Sequence, residues 1–336
     1  MAATQKHYDQ IQGDEEHVLV LEDGRQLAYA KNGPPTSRVV VIFFTGLFSV
    51  GKAADVPAPL RELGALWISP TLPGMGNSSP RKPGDAYHTS LVRDISALLT
   101  ELYPTGEFDK LYVAGGSYGT VQAQMLYGAS YDDFPAGRKL AGCMLLAGLS
   151  PFKYQANYTR TLTWQNYFSI GPPARYIPFW LLQRFVSIVL AKKLKTQEGA
   201  EQLLRELLFS KMDDDERGNF ANYLAKVNRT EDGFISKMAE GARMAGVQTW
   251  QGFFEVSDVI HSDWGFSPSN LDDEHASKPV LIVGSEKDDM GGSSNSWLAE
   301  NYKNSVLRVV PGGHISSLFY LDELWEQLIQ LSQADN

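Results

Sequence analysis

Short apolar runs alternate along this chain with longer segments whose apolar residues recur at helical spacing. The runs contain almost no polar side chains, which is typical of strands covered on both faces of a parallel sheet. They occupy residues 38–44, 65–69, 110–114, 140–147, 279–283 and 305–310. The pattern therefore predicts the central strands of one sheet.

Helical segments separate these strands. Residues 87–102 carry leucine and isoleucine at helical spacing, and residues 120–127 and 317–331 repeat that pattern. Near the start, two strand-like runs flank Asp23-Gly24, which predicts a hairpin. Strands that alternate with helices after a hairpin predict an α/β fold with a mostly parallel, doubly covered sheet.

One long interruption divides the strands into two groups. Between the strand that ends near residue 147 and the one that begins at 279, the sequence is helical and rich in aromatic residues. We therefore expect three parts: a flexible polar leader (1–16), an α/β core built from 17–150 and 276–336, and a helical cap inserted at 151–275 over the open end of the sheet. The alternative is that the insertion is a second helical layer without a lid role.

The first part of this insertion has an unusual charge pattern. Residues 134–197 contain no Asp, Glu or His but nine Lys or Arg, at positions 138, 139, 153, 160, 175, 184, 192, 193 and 195. The following residues, 198–289, are strongly acidic. We expect these cations to pair with the acidic cluster Asp213-Asp214-Asp215-Glu216. Alternatively, Lys153, Arg160 or Arg175 faces the pocket and favours a substrate that carries a carboxylate.

Composition limits the possible classes of protein. The 336 residues carry a net charge of −9, so no basic excess is available for nucleic acid. The single cysteine, Cys143, excludes an internal disulfide and a zinc site built on several thiolates. The first residues contain no apolar signal segment, and the longest apolar stretch, 177–191, is interrupted by Gln183 and Arg184. We expect a cytoplasmic protein without a transmembrane segment.

The most specific motif is Gly115-Gly116-Ser117-Tyr118-Gly119, a G-x-S-x-G sequence between a predicted strand and a predicted helix. A nucleophile on such a tight turn has a strained backbone, and glycines let the neighbouring elements approach. The N–H groups at the start of the helix stabilise negative charge that develops there. The motif predicts Ser117 as a nucleophile.

A serine nucleophile needs a base and an acid that orients the base. Only His314 follows a core strand, after Gly312-Gly313. For the acid, the strand that ends near 147 is followed by a stretch without carboxylates. The strand 279–283 is followed by Asp288, our choice, with Asp289 and Glu286 as less favoured alternatives.

With these residues in order, the sequence resembles the α/β-hydrolase superfamily from about His17 to Leu331. The loop 72–78 resembles the family's loop after its fourth strand, and the G-x-S-x-G residues are similar to those of proline-iminopeptidase-like members. The resemblance implies an oxyanion hole from the backbone amides of Leu47 and Tyr118. Where the family often has His-Gly and Asp, this chain has Thr45-Gly46 and Thr71. Neither difference removes a backbone N–H. We expect no metal and no cofactor.

The sequence supports several functions to different degrees. A serine hydrolase acting on an ester or lactone of a moderately large apolar small molecule is favoured, with aromatic residues of the insertion (Tyr154, Tyr158, Trp164, Tyr167 and Phe168) as candidate contacts. An aminopeptidase or amidase would need pocket carboxylates to bind a free amino terminus. A cofactor-free lyase with the same residues and a non-catalytic binding protein complete the hypotheses. The sequence does not predict an oligomeric state.

Overall fold

The computed structural model describes residues 15–160, 162–177, 181–288 and 292–334. Eight strands form one sheet in the order β1-β2-β4-β3-β5-β6-β7-β8, with β1–β2 and β2–β4 antiparallel and the other pairs parallel. The strands are β1 (Glu16–Val20), β2 (Gln26–Asn32), β3 (Val39–Phe44), β4 (Leu66–Pro70), β5 (Lys110–Gly116), β6 (Leu140–Leu146), β7 (Val280–Ser285) and β8 (Ser305–Val310).

Helices of the core connect these strands. They are α1 (Ala58–Glu62), α2 (Tyr87–Leu102) and α3 (Gly119–Tyr127) in the first half, and α13 (Gly292–Asn301) and α14 (Leu321–Ala334) in the second. Short 3₁₀ turns at Pro135–Lys139 and Ser316–Tyr320 precede β6 and α14.

Between β6 and β7 the described residues form helices and loops only. The helices are α4 (Trp164–Ser169), α5 (Pro172–Tyr176), α6 (Leu181–Lys193), α7 (Gln197–Leu204, continued by a π-helical turn at Arg205–Phe209), α8 (Asp214–Lys226), α9 (Glu231–Ala245), α10 (Gln251–Phe254), α11 (Val256–His261) and α12 (Asp273–Ala276). Two 3₁₀ turns, Tyr158–Arg160 and Pro268–Asn270, complete this insertion.

Alternate side chains of the central strands enter separate cores on the two faces of the sheet. In β3, Val40, Ile42 and Phe44 pack in the cluster that contains residues of α2, α3 and α13. Val41 and Phe43 pack in the other cluster, with residues of α1 and α14. Because both faces are covered, the strands must be apolar at every position, as the sequence pattern indicated.

A buried ion pair fixes the hairpin against α2. The Arg25 guanidinium donates to both carboxylate oxygens of Asp94, at 2.7 and 2.5 Å, and its side chain is only 9% exposed. Arg25 also donates to Asp23 at 2.9 Å, and this hydrogen bond lowers the pKa of the Asp23 carboxyl. A bidentate, charge-assisted contact therefore attaches the antiparallel edge of the sheet to α2.

The insertion docks on the core through backbone contacts as well as side chains. Gly252 donates its N–H to the carbonyl oxygen of Gly74 at 3.0 Å, and Gly76 donates to Ala245 at 2.8 Å. A Cβ on Gly74 would lie 2.6 Å from the nitrogen of Gly252, so the close approach requires glycine. The predicted loop 72–78 is thus a docking point for the insertion.

A second contact joins the insertion to the loop after β8. Phe209, Phe220 and Phe234 of the insertion pack in one apolar cluster with Ile315 and Phe319. Ile315 follows His314 directly in the chain, and Phe319 lies five residues after it. The insertion therefore supports the segment that carries this histidine.

The structure confirms the predicted fold class and corrects several details. The helix at residues 87–102 and the strand at 305–310 have the predicted bounds, whereas α1 and α13 were not predicted. The predicted helix at 317–331 is a 3₁₀ turn followed by α14. Within the described residues, no helix is long and apolar enough to cross a membrane.

The expected pairing of the basic segment with residues 213–216 is wrong. Arg138 pairs with Glu274, Lys153 with Asp263 and Lys193 with Glu206. The 213–216 cluster instead contacts the loops after β7 and β8, as described below. The observed partners lie elsewhere in the acidic segment 198–289: in the π-helical turn after α7, in the loop after α11 and in α12.

Candidate active site

The turn between β5 and α3 holds Ser117 in a left-handed backbone conformation. Its φ is 50°, in a region that non-glycine residues adopt rarely. The N–H of Ser117 donates to the carbonyl oxygen of Leu146 at 2.8 Å, which attaches the turn to the end of β6. Such a conformation persists only where the surroundings enforce it, and it is a mark of functional sites.

Two of the three motif glycines are required by packing. A Cβ on Gly119 would lie 2.2 Å from the carbonyl oxygen of Phe44, and one on Gly115 would lie 2.2 Å from the carbonyl oxygen of Gly119. A Cβ on Gly116 would meet only the ring of Phe43, at 3.9 Å. The first and last glycines of G-x-S-x-G therefore allow the sharp turn, and the middle one does not.

The structure brings Ser117, His314 and Asp288 together from three separate loops. The Ser117 hydroxyl lies 3.0 Å from Nε2 of His314, and Nδ1 of His314 lies 2.9 Å from Oδ1 of Asp288. A carboxylate can only accept a hydrogen bond, so Nδ1 carries the proton and Nε2 is free to accept from the hydroxyl. This arrangement can deprotonate Ser117 and transfer that proton onward.

Burial distinguishes Asp288 from the other candidate acid that the structure describes. The Asp288 side chain is 0% exposed, while that of His314 is 15% exposed. Glu286, one of the alternative acids, is exposed, and Asp289 lies outside the described residues. Of the acids that the structure describes after β7, Asp288 is therefore the one in contact with the imidazole.

A buried carboxylate of the insertion supports the histidine loop. Glu216, in the first turn of α8, is 5% exposed. Its Oε1 accepts from the N–H of Gly313 at 2.8 Å and from the hydroxyl of Ser316 at 2.5 Å. These donors flank His314 in the chain. The sequence analysis missed this role because Glu216 follows three aspartates and resembles one more solvated acid.

The start of α8 also contacts the loop after β7, which carries Asp288. Lys287 donates from its side chain to Asp213, and this hydrogen bond lowers the pKa of the Asp213 carboxyl. The backbone N–H of Lys287 donates to the carbonyl oxygen of Gly312 at 2.9 Å. The loops after β7 and β8 are therefore joined to each other and to α8.

The two amides considered for an oxyanion hole lie on loops next to Ser117. Tyr118 is the N-cap residue of α3, and a Cβ on Gly46 would lie 3.5 Å from Cβ of Ser117. Within the described part of the chain, neither the N–H of Leu47 nor that of Tyr118 donates a hydrogen bond. The Thr71 hydroxyl accepts from the N–H of Gly51 at 2.9 Å and so holds the end of the 45–51 loop.

Aromatic side chains of the insertion cover the 45–48 loop. The ring of Phe48 lies 5.0 Å from that of Phe253 and 6.0 Å from that of Trp250. Of the aromatics considered from the sequence, Trp164 and Phe168 instead point to solvent. The aromatic cluster beside the candidate site thus comes from a later part of the insertion than expected.

Comparison with known proteins identifies the family to which the chain belongs. The family model described as the alpha/beta hydrolase family matches residues 41–330, which includes Ser117, Asp288 and His314. The chain belongs to this family. The protein is therefore a hydrolase enzyme with a small-molecule substrate, and the resemblance inferred from the sequence is confirmed at the level of the superfamily.

Solved structures show the same fold at low sequence identity. A putative lipase from Acinetobacter baumannii has a TM-score of 0.60 and 15% identity, with 100% of the hydrolase and 98% of that chain covered. A carboxylesterase from Nitrososphaera gargenis has a TM-score of 0.58 and 14% identity, covering 95% of the hydrolase and 100% of that chain.

A bromoperoxidase from Bacillus anthracis is similar to the same extent. It has a TM-score of 0.59 and 15% identity, with 95% of the hydrolase and 100% of that chain covered. A search of curated proteins finds no match to the hydrolase. At these identities the structural similarity establishes the fold alone, and the likeness to proline-iminopeptidase-like members stays a prediction.

Proposed function

We propose that this protein is a serine hydrolase that cleaves an ester or lactone of a moderately large apolar substrate. The observation that carries the proposal is the chain of contacts from the strained Ser117 through His314 to the buried Asp288, at 3.0 and 2.9 Å. A hydroxyl on a neutral imidazole that is itself bonded to a carboxylate is the arrangement used for acyl transfer.

The proposed reaction follows from these contacts. The Ser117 oxygen attacks the substrate carbonyl while its proton passes to Nε2 of His314, and Asp288 stabilises the resulting imidazolium. The amides of Leu47 and Tyr118 donate to the oxyanion, and the α3 N-terminus adds a favourable dipole. The imidazolium then protonates the leaving alkoxide. Water, deprotonated by His314, attacks the acyl-enzyme and releases the acid and free Ser117.

The apolar character of the proposed substrate is inferred from the aromatic residues beside the 45–48 loop. Phe48, Phe253 and Trp250 form an aromatic cluster there. Apolar and aromatic surface is what small-molecule sites present to most of a ligand, while a few polar groups orient it. The proposed scissile carbonyl would lie at Ser117, with its apolar part toward this cluster.

In the same proposal, residues 151–275 act as a cap over the site. Two contacts support this role: Phe253 packs on Phe48 of the 45–48 loop, and Glu216 accepts from the N–H of Gly313. A cover at this place excludes water from the charges that form during acyl transfer.

An aminopeptidase is the second hypothesis, and the contacts of two buried carboxylates count against it. A free amino terminus would have to meet an available acid in the pocket. Glu216 accepts from Gly313 and Ser316, and Glu255 accepts from Arg81 at 2.9 Å. These two buried acids are therefore already bonded to protein groups.

Replacing the nucleophile tests the proposal directly. Ser117→Ala should reduce kcat by ~10⁶ while the unfolding transition is unchanged, because the hydroxyl contributes to turnover and hardly to packing. Steady-state assays with p-nitrophenyl acyl esters and amino-acid p-nitroanilides measure the loss and separate esterase from aminopeptidase activity. Retained ester turnover in the variant would eliminate Ser117 as the nucleophile. Cleavage of the anilides alone would favour the second hypothesis.

Substitution of Asp288 tests the acid that contacts His314. Asp288→Asn keeps the shape but removes the charge that stabilises the imidazolium, so kcat should fall by up to ~10⁴. Asp289→Asn serves as the matched control and should have a much smaller effect. If Asp289→Asn were the more damaging change in the same ester assay, the acid would be misassigned by one residue.

A further inference from the structure

Helix α6 exposes four large apolar residues and buries two polar ones. Leu181, Phe185, Ile188 and Val189 lie at positions i, i+4, i+7 and i+8, so they share one face, and each is between 46% and 66% exposed. Gln183 and Ser187 are buried on the opposite side, where Gln183 donates to the carbonyl oxygen of Ala174 at 3.2 Å. We call the four exposed residues the apolar stripe.

The two helices that precede α6 in the chain also expose aromatic side chains. Trp164 and Phe168 of α4 are exposed, with ring centroids 5.3 Å apart, and Tyr176 of α5 is exposed as well. Single apolar residues are common on protein surfaces, but a face made of several large ones marks an interaction site. This part of the insertion is therefore unusually rich in exposed large apolar side chains.

The stripe is bordered by positive charge. Arg184, Lys192 and Lys195 form no ion pair among the described residues, and residues 134–197 contain no acid in a protein of net charge −9. A partner for this face must therefore accept apolar side chains and compensate cations at the same place.

We propose that the α6 face binds the surface of an anionic phospholipid bilayer. The apolar stripe would enter the acyl boundary, and the amphipathic rings of Trp164 and Tyr176 suit the headgroup level. Arg184, Lys192 and Lys195 would meet the negative headgroups, which attract basic segments near the membrane surface. This mode of binding lies in the plane of the interface and requires no spanning helix.

A second copy of the chain fits the face less well. In a two-fold dimer the same patch meets itself, so the stripe would bury apolar area while it brought Arg184 and Lys192 toward their own copies. Like charges across an interface oppose association. The charge pattern thus favours a negatively charged surface over a symmetric contact.

Co-sedimentation of the full chain with vesicles tests the proposal. We expect binding to vesicles of phosphatidylcholine plus phosphatidylserine, little binding to phosphatidylcholine alone, and weaker binding as salt is raised. The double substitution Phe185→Ser/Ile188→Ser should lower the partition coefficient by ~10-fold or more, because it removes two large apolar side chains from the interface. Val20→Ser, which removes an exposed apolar residue of β1 instead, should leave binding unchanged.

Each other outcome contradicts the proposal. No binding to anionic vesicles, or equal binding to neutral and anionic vesicles, would overturn it, as would equal binding of the double variant. Analytical ultracentrifugation without lipid provides the competing result: a dimer of the native chain that Phe185→Ser/Ile188→Ser dissociates would assign the face to a second copy. Circular dichroism and thermal unfolding verify that the variants are folded. Ester hydrolysis by the native chain in solution is independent of these results, so the two proposals fail separately.

Discussion

Substitution of Glu216 should reduce turnover without removing any group that touches substrate. The carboxylate is 5% exposed and accepts two hydrogen bonds, from Gly313 at 2.8 Å and from Ser316 at 2.5 Å. A hydrogen bond to a charged group contributes about 1.5–3 kcal/mol to stability, whereas one to a neutral group contributes about 0.5–1.5 kcal/mol. Glu216→Gln keeps one acceptor oxygen and should lower the free energy of unfolding by about 1–3 kcal/mol.

Glu216→Ala is the more severe change. It leaves the N–H of Gly313 without its acceptor, and an unsatisfied buried donor costs about 1–3 kcal/mol. Because Gly313 and Ser316 flank His314, the loop should also lose its fixed position. A displacement of about 1 Å at a reacting group can lower the rate by ~10²-fold.

The measurement combines kinetics with denaturation. We expect both variants to lower kcat for a p-nitrophenyl ester more than they change KM, with Glu216→Ala the larger effect. Asp215→Asn is the matched control, since it lies in the same turn of α8 and is exposed. A Glu216→Ala protein that loses stability in urea but keeps the native kcat below its unfolding transition would refute the reasoning, because the carboxylate would then be purely structural.

Two contrasts between matched sites give further predictions. Gly119→Ala, whose Cβ would lie 2.2 Å from a carbonyl oxygen of β3, should lower the free energy of unfolding by about 3 kcal/mol or more, whereas Gly116→Ala should be tolerated. Urea denaturation of both variants measures the difference, and equal losses would contradict the packing argument. Asp94→Ala should cost about 3 kcal/mol because it removes the carboxylate that accepts two hydrogen bonds from the buried Arg25, which then keeps only Asp23 as a partner. Arg38→Ala, which breaks an exposed ion pair, should cost about 1 kcal/mol or less. Equal losses at the buried and exposed pairs would contradict the burial argument.

The elements with strong hydrophobic periodicity could be predicted from the sequence, and those formed by tertiary packing could not. Residues 87–102 were predicted with their final bounds because their apolar residues recur on one face. Helix α13 was missed because its sequence, GSSNSWLAEN, contains mostly weak helix formers. Packing compensates for this weakness, since Leu298 is fully buried and Asn295 accepts from the N–H of Gly148 at 3.0 Å.

The candidate site divides in the same way. Ser117, Asp288 and His314 could be named because each stands in a local pattern after a strand, and their contacts agree with that order. Glu216 could not be named, because its burial depends on how the insertion folds back over Gly313, which no local pattern encodes. Contacts between segments that are distant in the chain could not be predicted from this single sequence.

The position of the insertion also has a consequence for the order of folding. Strand β7 pairs directly with β6, although residues 147–279 separate them in the chain. Bringing such distant segments together costs loop entropy before any contact is gained, and non-local pairing of this kind slows folding. Ser117 precedes the insertion, while Asp288 and His314 follow it. During synthesis, which proceeds from the N-terminus, a nascent chain would therefore carry the Ser117 turn long before Asp288 and His314 could join it. We expect hydrolytic activity to be among the last properties that the folding chain acquires.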